Sequence, residues 1–265
     1  MITIAIANQK GGVGKTTIAF NLSQILACRR NTTVLSIDND PQGNLTSSFR
    51  EDPAKLKSNI LDAYDQNRLN PTQVSKNLSF VGSDIRLSAI AERDFQVIFN
   101  LKEALDGLKK RKSHGRPGKP GFPQFDFIVI DSLPSFGHLH LAALNAAEYV
   151  LIPVKPAPFA LAGLKDLLAT VEKARKYFNP TLKILGIVIN QVDGRKLIME
   201  REMEGILREK YGDLVFKSKI RKRVCLEESP AFQKSITDYD PKSASAGDFK
   251  SFTSELLKRI RDDRK

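Results

Sequence analysis

Eight residues near the amino end carry the densest chemistry in the chain: Lys10-Gly11-Gly12-Val13-Gly14-Lys15-Thr16-Thr17. Glycines lack a Cβ, so consecutive backbone N–H groups can turn inward around phosphate oxygens, and a helix opening near Thr17 adds the positive end of its dipole. Lys15 is placed to reach the β- and γ-phosphates of a nucleotide, the Thr16 hydroxyl to ligate Mg2+, and Thr17 to contact the α-phosphate. The usual loop has glycine five residues before Gly14, where Gln9 stands, and the residue after it is a second lysine, Lys10.

Two further runs end in carboxylates. In Ser36-Ile37-Asp38-Asn39-Asp40-Pro41-Gln42-Gly43-Asn44 an apolar strand ends in two acids at i and i+2, which strand alternation puts on one side. Taken alone this pair also reads as a solvated turn, given Pro41 and Gly43. Phe125-Asp126-Phe127-Ile128-Val129-Ile130-Asp131 is a hydrophobic strand ending in an acid, the arrangement in which a carboxylate holds a Mg2+-bound water. His138 and His140 have no third ligand near them in sequence, and Cys28 and Cys225 lack metal or CxxC spacing, so all four read as structural.

The elements that must position these groups alternate. Runs rich in β-branched residues at 2–7, 33–37, 78–81, 127–130, 149–153 and 182–189 are separated by helical stretches. That pattern predicts an α/β fold, a P-loop NTPase-type, mostly parallel sheet with helices on both faces. Ile18, Leu22, Ile25 and Leu26 mark one buried helical face, residues 161–178 and 198–211 read as helices, and Phe249, Phe252, Leu256, Leu257 and Ile260 line one side of a C-terminal helix over 248–262. With 265 residues, 41% of them hydrophobic, one domain over 1–265 is expected. Apolar runs fall far short of the roughly 20 residues of a membrane span. No signal peptide is recognisable, so a cytoplasmic protein is expected. Lys+Arg number 42 against 30 Asp+Glu, a formal charge of +12 that favours a polyanionic partner over charge scattered for solubility. A basic, Gly- and Pro-rich stretch over 109–121 cannot be a continuous helix and reads as an exposed loop, either a tolerated insertion or a partner contact.

On these motifs the chain resembles the ParA/MinD group of ATPases with a deviant P-loop, and within it the ParA family of cargo-partitioning ATPases. Leu151-Ile152-Pro153-Val154, Phe159-Ala160-Leu161-Ala162-Gly163-Leu164 and Gly186-Ile187-Val188-Ile189-Asn190-Gln191 extend the resemblance over nearly the whole chain. It implies ATP and Mg2+ as cofactors and a homodimer formed on ATP binding, with Lys10 of one subunit reaching the nucleotide of the other. It also implies that Asp40 positions the attacking water, that Asp38 lies in the outer shell of Mg2+, and that Asn190 meets the adenine edge. A strand-end asparagine capping a turn is the other reading of Asn190.

Lys217-Ser218-Lys219-Ile220-Arg221-Lys222-Arg223 has five basic residues in seven, where resembling proteins bind DNA without reading its sequence. A solvated charge run is the bland alternative. Here Ile220-Arg221-Lys222 stands in place of the family's Ile-Pro-Arg, and Ser132-Leu133-Pro134-Ser135 in place of Pro-Pro-Ser. Cluster cysteines, a CxxC and a second P-loop are missing, which excludes the nitrogenase, scaffold and arsenical-pump relatives. With no helix-turn-helix ahead of the first strand, the compact form without an operator-reading module is expected. The implied cycle is weak intrinsic ATP hydrolysis, non-specific DNA binding on the nucleoid as a dimer, and release when a ParB-like adaptor stimulates hydrolysis. A MinD-like membrane-associated positioning ATPase is the alternative. Its lipid-binding helix would have to be 248–261, whose mixed polar side suits packing on the core better.

Overall fold

The β-branched runs become strands because helices cover both of their faces. In the computed structural model, which describes residues 1–49, 58–110, 124–157, 160–193 and 197–265, the first half runs β1 (Ile2–Ile6), α1 (Lys15–Ala27), β2 (Val34–Asn39), α2 (Asn44–Phe49), α3 (Leu61–Gln66), β3 (Thr72–Ser75), β4 (Leu78–Val81), α4 (Leu87–Ala91), α5 (Val97–Lys110) and β5 (Phe127–Ser132). The second half runs α6 (His138–Ala146), β6 (Tyr149–Val154), α7 (Ala160–Tyr177), β7 (Lys183–Val192), α8 (Leu197–Tyr211), β8 (Val215–Arg221), α9 (Val224–Glu228), α10 (Ile236–Tyr239) and α11 (Ala244–Asp263).

These strands form one sheet of eight in the order β3-β4-β2-β5-β1-β6-β7-β8. Every neighbouring pair is parallel except β3–β4. Alternation then sorts the side chains. Ala5, Leu35, Ile37, Ile128 and Ile130 face Leu101, Leu139, Leu164 and Leu167 of α5, α6 and α7. Ile4, Ile6, Val34 and Val129 face Ile18, Leu22 and Leu26 of α1 and Phe249 and Phe252 of α11.

Four departures from the sequence expectations have physical causes. The helix α1 opens at Lys15 rather than near Thr17, because Gly14 takes a left-handed φ of 86° and turns the loop straight into the first helical residue. The short polar edge strand β3 carries no hydrophobic pattern to reveal it. The basic run at 217–221 is a strand, β8, whose Val215, Phe216 and Ile220 are buried while Lys217 and Lys219 point out. Finally, Lys109 and Lys110 are the last turn of α5, while 111–121 of the expected basic loop lie outside the described residues.

The C-terminal helix buries Phe249, Phe252, Leu256 and Ile260 against this core, so the face a lipid surface would require is already covered. Arg259 secures it by donating to the carbonyls of Leu185, Leu214 and Val215 and stacking over Phe216 at 4.0 Å. This close approach needs Gly186, where φ is +153° and a Cβ would come 2.6 Å from Phe216 Cε2 and 2.8 Å from the Leu214 carbonyl oxygen. Gly186→Ala is therefore expected to destabilise the fold by about 3 kcal/mol, read as a lowered urea midpoint at unchanged m-value.

Candidate functional site

In a parallel sheet every strand of the parallel set ends at the same edge, and the motifs collect there. Register decides which groups meet. Asp38 of β2 lies beside Asp131 of β5, and Asp131 beside Ile6 of β1, the strand that feeds the glycine loop. Val34, Ser36 and Asp38 share the α1 side of β2, and the Ser36 hydroxyl meets that of Ser23 in α1 at 3.1 Å.

The loop itself is fixed by side chains from neighbouring strand ends. Asn8 donates to the Pro153 carbonyl at 2.7 Å and accepts from the Lys10 N–H at 2.9 Å. Asn190 donates to the Val13 carbonyl at 2.7 Å, and a Cβ on Gly14 would collide with its Nδ2, so loop and β7 can pack this closely only with glycine at 14. The turn-holding role of Asn190 is thus visible in the structure. Gly11 and Gly12 are exposed with nothing within 4 Å of a would-be Cβ, which leaves their backbone open to an anion.

Lys15 is buried and donates to the Lys10 carbonyl at 3.2 Å. Burial pulls its ammonium below the usual lysine range, while Asp131 and Asp40 pull the other way. Asp38 is buried and accepts from the Thr46 hydroxyl at 2.7 Å, from the Thr46 N–H at 2.8 Å and from the Asp40 N–H at 3.1 Å. Burial nevertheless pushes its carboxyl up to about 6. Asp131 is 1% exposed and neither of its oxygens makes a well-formed hydrogen bond, the Thr16 hydroxyl giving the carboxylate only partial support. Its carboxyl is raised well above the ordinary range by burial and by the field of Asp38, partly opposed by Thr16 and Lys15.

A buried carboxylate with both oxygens so poorly met is a group awaiting a cation. Hydroxyl and carboxylate donors, Thr16, Asp131 and Asp38, are the hard oxygen set that suits Mg2+. Among the described residues no cluster of three or more His, Cys, Asp or Glu is arranged to hold a metal.

Sequence reasoning missed Asn39, because alternation turns it away from the acids. It donates to the Leu139 carbonyl of α6 at 2.9 Å and accepts from the Tyr64 hydroxyl at 2.7 Å. It thereby ties the strand end carrying Asp38 and Asp40 to the helix that follows Asp131. A buried Asn between two catalytic-type acids was the available signal. His140 in α6 is fully buried with neither ring nitrogen in a well-formed hydrogen bond, and burial lowers its imidazole to about 4 against a weak opposing contact with the Leu133 backbone.

The basic run lies one strand beyond Asn190. Lys219 pairs with Glu204 at 2.8 Å, Arg221 grips Asp248 at 2.6 and 2.9 Å, and Lys222 stands 4.0 Å from Glu227, so three of its five charges have an acidic partner within the chain, the last a loose one. Lys217 is exposed, and its N–H donates to Glu255. Lys222 and Arg223 line, with Val192 and Arg221, a cavity of about 590 Å3 beside the end of β7.

Comparisons with known proteins place these features. The AAA_31 family, described as AAA domain, matches residues 1–184. The chromosome-partitioning ATPase Soj of Thermus thermophilus is 34% identical over 264 residues, 98% of this chain and 96% of that protein. A putative plasmid partition protein of Borrelia burgdorferi, solved bound to AMPPNP, superposes with a TM-score of 0.77 at 27% identity over 97% of this chain and 98% of that one. The cobyrinic acid a,c-diamide synthase of Mycobacterium smegmatis, solved with ADP and magnesium, gives 0.75 at 26% identity over 100% and 97%.

Two outcomes are expected from this geometry. Asn39→Leu strands the buried Tyr64 hydroxyl and the Leu139 carbonyl, and should cost about 2 kcal/mol in urea unfolding, with Tyr64→Phe costing less. The unfolded chain takes up a proton on His140 near 6.5 and the folded chain only near 4, so the neutral imidazole's share of stability is present above 6.5 and lost as pH falls toward 4. Stability of His140→Leu should fall less over that interval, by about 2 kcal/mol, in denaturation at stepped pH.

Proposed function

The chain belongs to the Soj/ParA family of partitioning ATPases, and from that premise we propose that it binds and hydrolyses ATP with Mg2+ at the edge of the sheet described above, and acts in DNA partitioning. The observation that carries this reading is Asp131, a buried carboxylate without a well-formed hydrogen bond, supported only weakly by Thr16, within the field of Lys15 beside the glycine loop. Mg2+ held there by Thr16 and Asp131 would supply charge neutralisation for bound phosphates.

The chain's own residues do the rest. Gly11, Gly12, Val13 and Gly14 present backbone N–H groups to the phosphates at the amino end of α1, and Thr17 meets the α-phosphate. Lys15 exchanges the Lys10 carbonyl for phosphate oxygens. Thr16 and Asp131 hold the cation, and Asp38, oriented by Thr46, stands behind them. Asp40 orients the attacking water, and Lys10 acts across a dimer on the partner's nucleotide. Asn190, which already holds the loop, borders the base. Hydrolysis is slow in the isolated protein, because Lys10 and the two acidic strand ends settle only when a ParB-like adaptor engages the dimer.

The ATP-bound dimer lies on non-specific DNA of the nucleoid through Lys217, Arg223 and Lys222, which leaves its loose, exposed pair with Glu227, with Lys219 and Arg221 contributing from within their ion pairs. Each phosphate these residues neutralise releases counterions, so affinity falls steeply with salt. A cytoplasmic, nucleoid-associated protein follows.

Binding to non-specific duplex DNA should be tight and salt-sensitive with ATP, weak with ADP or without nucleotide, and lost in Lys10→Ala. Absence of DNA binding in every nucleotide state, together with ATP-dependent binding to anionic liposomes, would sink this reading in favour of a membrane-positioning ATPase. In Lys222→Ala/Arg223→Ala the slope of log K against log salt should shrink by about two.

A further inference from the structure

The side chain of Lys10 lies along α7. A Cβ built on Gly163 would come 2.7 Å from Lys10 Cε, 3.4 Å from Cδ and 3.5 Å from Cγ. Three successive methylenes of the lysine therefore cross the one residue of that helix face without a side chain. One residue earlier, Gln9 Nε2 donates to Thr170 Oγ1 at 3.1 Å. Positions 163 and 170 are two helical turns apart and share a stripe beside the buried face of Leu164, Leu167 and Val171. The two residues at which the loop departs from the usual phosphate-loop pattern, Gln9 and Lys10, are thus the two seated on α7.

Gly163 is a costly choice inside a helix, where alanine is favoured. Its φ is ordinary and helical, so backbone conformation does not require glycine there. The groove over it accommodates the lysine stem.

We infer that Gly163 is a positioning residue that seats Lys10 within its own subunit, and that this seat competes with the reach of Lys10 to a partner subunit's nucleotide. The inference rests on the cross-subunit reading of Lys10 given above. One side chain cannot occupy both places, so the fraction of molecules with Lys10 off α7 scales the apparent rate of the step it serves. The contacts of the stem at Gly163 are between carbon atoms, each individually weak, so filling the groove should shift the population a few-fold and not by orders of magnitude.

Gly163→Ala fills the groove with one methyl group, suits the helix, and has the flexible stem of Lys10 as its nearest neighbour. Three measurements on the full chain test it. Acylation of Lys10 by an amine-reactive ester without nucleotide, followed by mass spectrometry, should be about threefold faster in Gly163→Ala. Basal ATP turnover should rise by about the same factor, and the rise should vanish in a Lys10→Ala background. Thermal unfolding should be unchanged or higher, which shows that the helix is intact. Equal labelling of Lys10 in the two proteins overturns the inference, and so does a turnover change that persists in Lys10→Ala. Should Lys10→Ala alone leave hydrolysis and dimer formation untouched, the cross-subunit reading fails, and the labelling rate still decides whether the seat exists.

Discussion

Three carboxylates and one ammonium held away from water at the end of a parallel sheet are an unbalanced charge that the chain offsets only in part. Asp38 is served by three hydrogen bonds and Asp131 by no well-formed one, and the field of Lys15 reaches Asp131 from the loop. Burying a charge without partners is expensive. Both acids respond by holding their protons more tightly, and Lys15 responds by losing its own more easily. The same imbalance, three negative charges against one positive, creates an appetite for a divalent cation, which brings the four groups back to balance. Register enforces the arrangement: slipping β2 by one residue against β5 would send Asp38 to the α6 side and bring Asn39 beside Asp131.

A site strained in this way needs a rigid frame, and the frame is made of asparagines at strand ends. Asn8 fastens the loop to β6, Asn190 fastens it to β7, and Asn39 fastens the acidic strand end to α6. Each exploits the same chemistry: a short amide can bridge two backbone segments that belong to different elements, and when buried it does so without competition from water. Only the outer side of the loop, Gly11 and Gly12, is left open.

The acids, the glycine loop and the parallel sheet were legible because each is written in consecutive residues. Asp131 closes a run of buried β-branched residues and Lys15 follows its glycines directly, so local pattern sufficed. What could not be read depends on residues far apart. Asn39 to Leu139 spans one hundred positions and Asn190 to Val13 spans 177. Gly163 looked like one letter of a family motif, and its meaning emerges only when the Lys10 stem is seen above it. The strand β8 was hidden for a different reason: lysines and an arginine at alternate positions dominate its composition, while Phe216 and Ile220 carry the face packed with α11 and Val215 enters the core on the other side of the sheet.

That concealed strand also changes what the basic run can do. On a flexible segment its charges would pay conformational entropy to line up along a phosphate backbone. On an edge strand they are already spaced. The pairing of Arg221 with Asp248, with side-chain exposures of 43% and 12%, adds little to stability because it is partly screened by water. Its two parallel hydrogen bonds fix the guanidinium, and with it the direction in which the chain leaves β8 toward Lys222 and Arg223. The segment that follows returns to the nucleotide end, where the Ile236 N–H donates to Asn21 in α1, the helix that opens at Lys15. The basic edge and the phosphate loop are therefore parts of one hydrogen-bonded frame, and a shift of α1 at its amino end has a direct structural route to the charged edge.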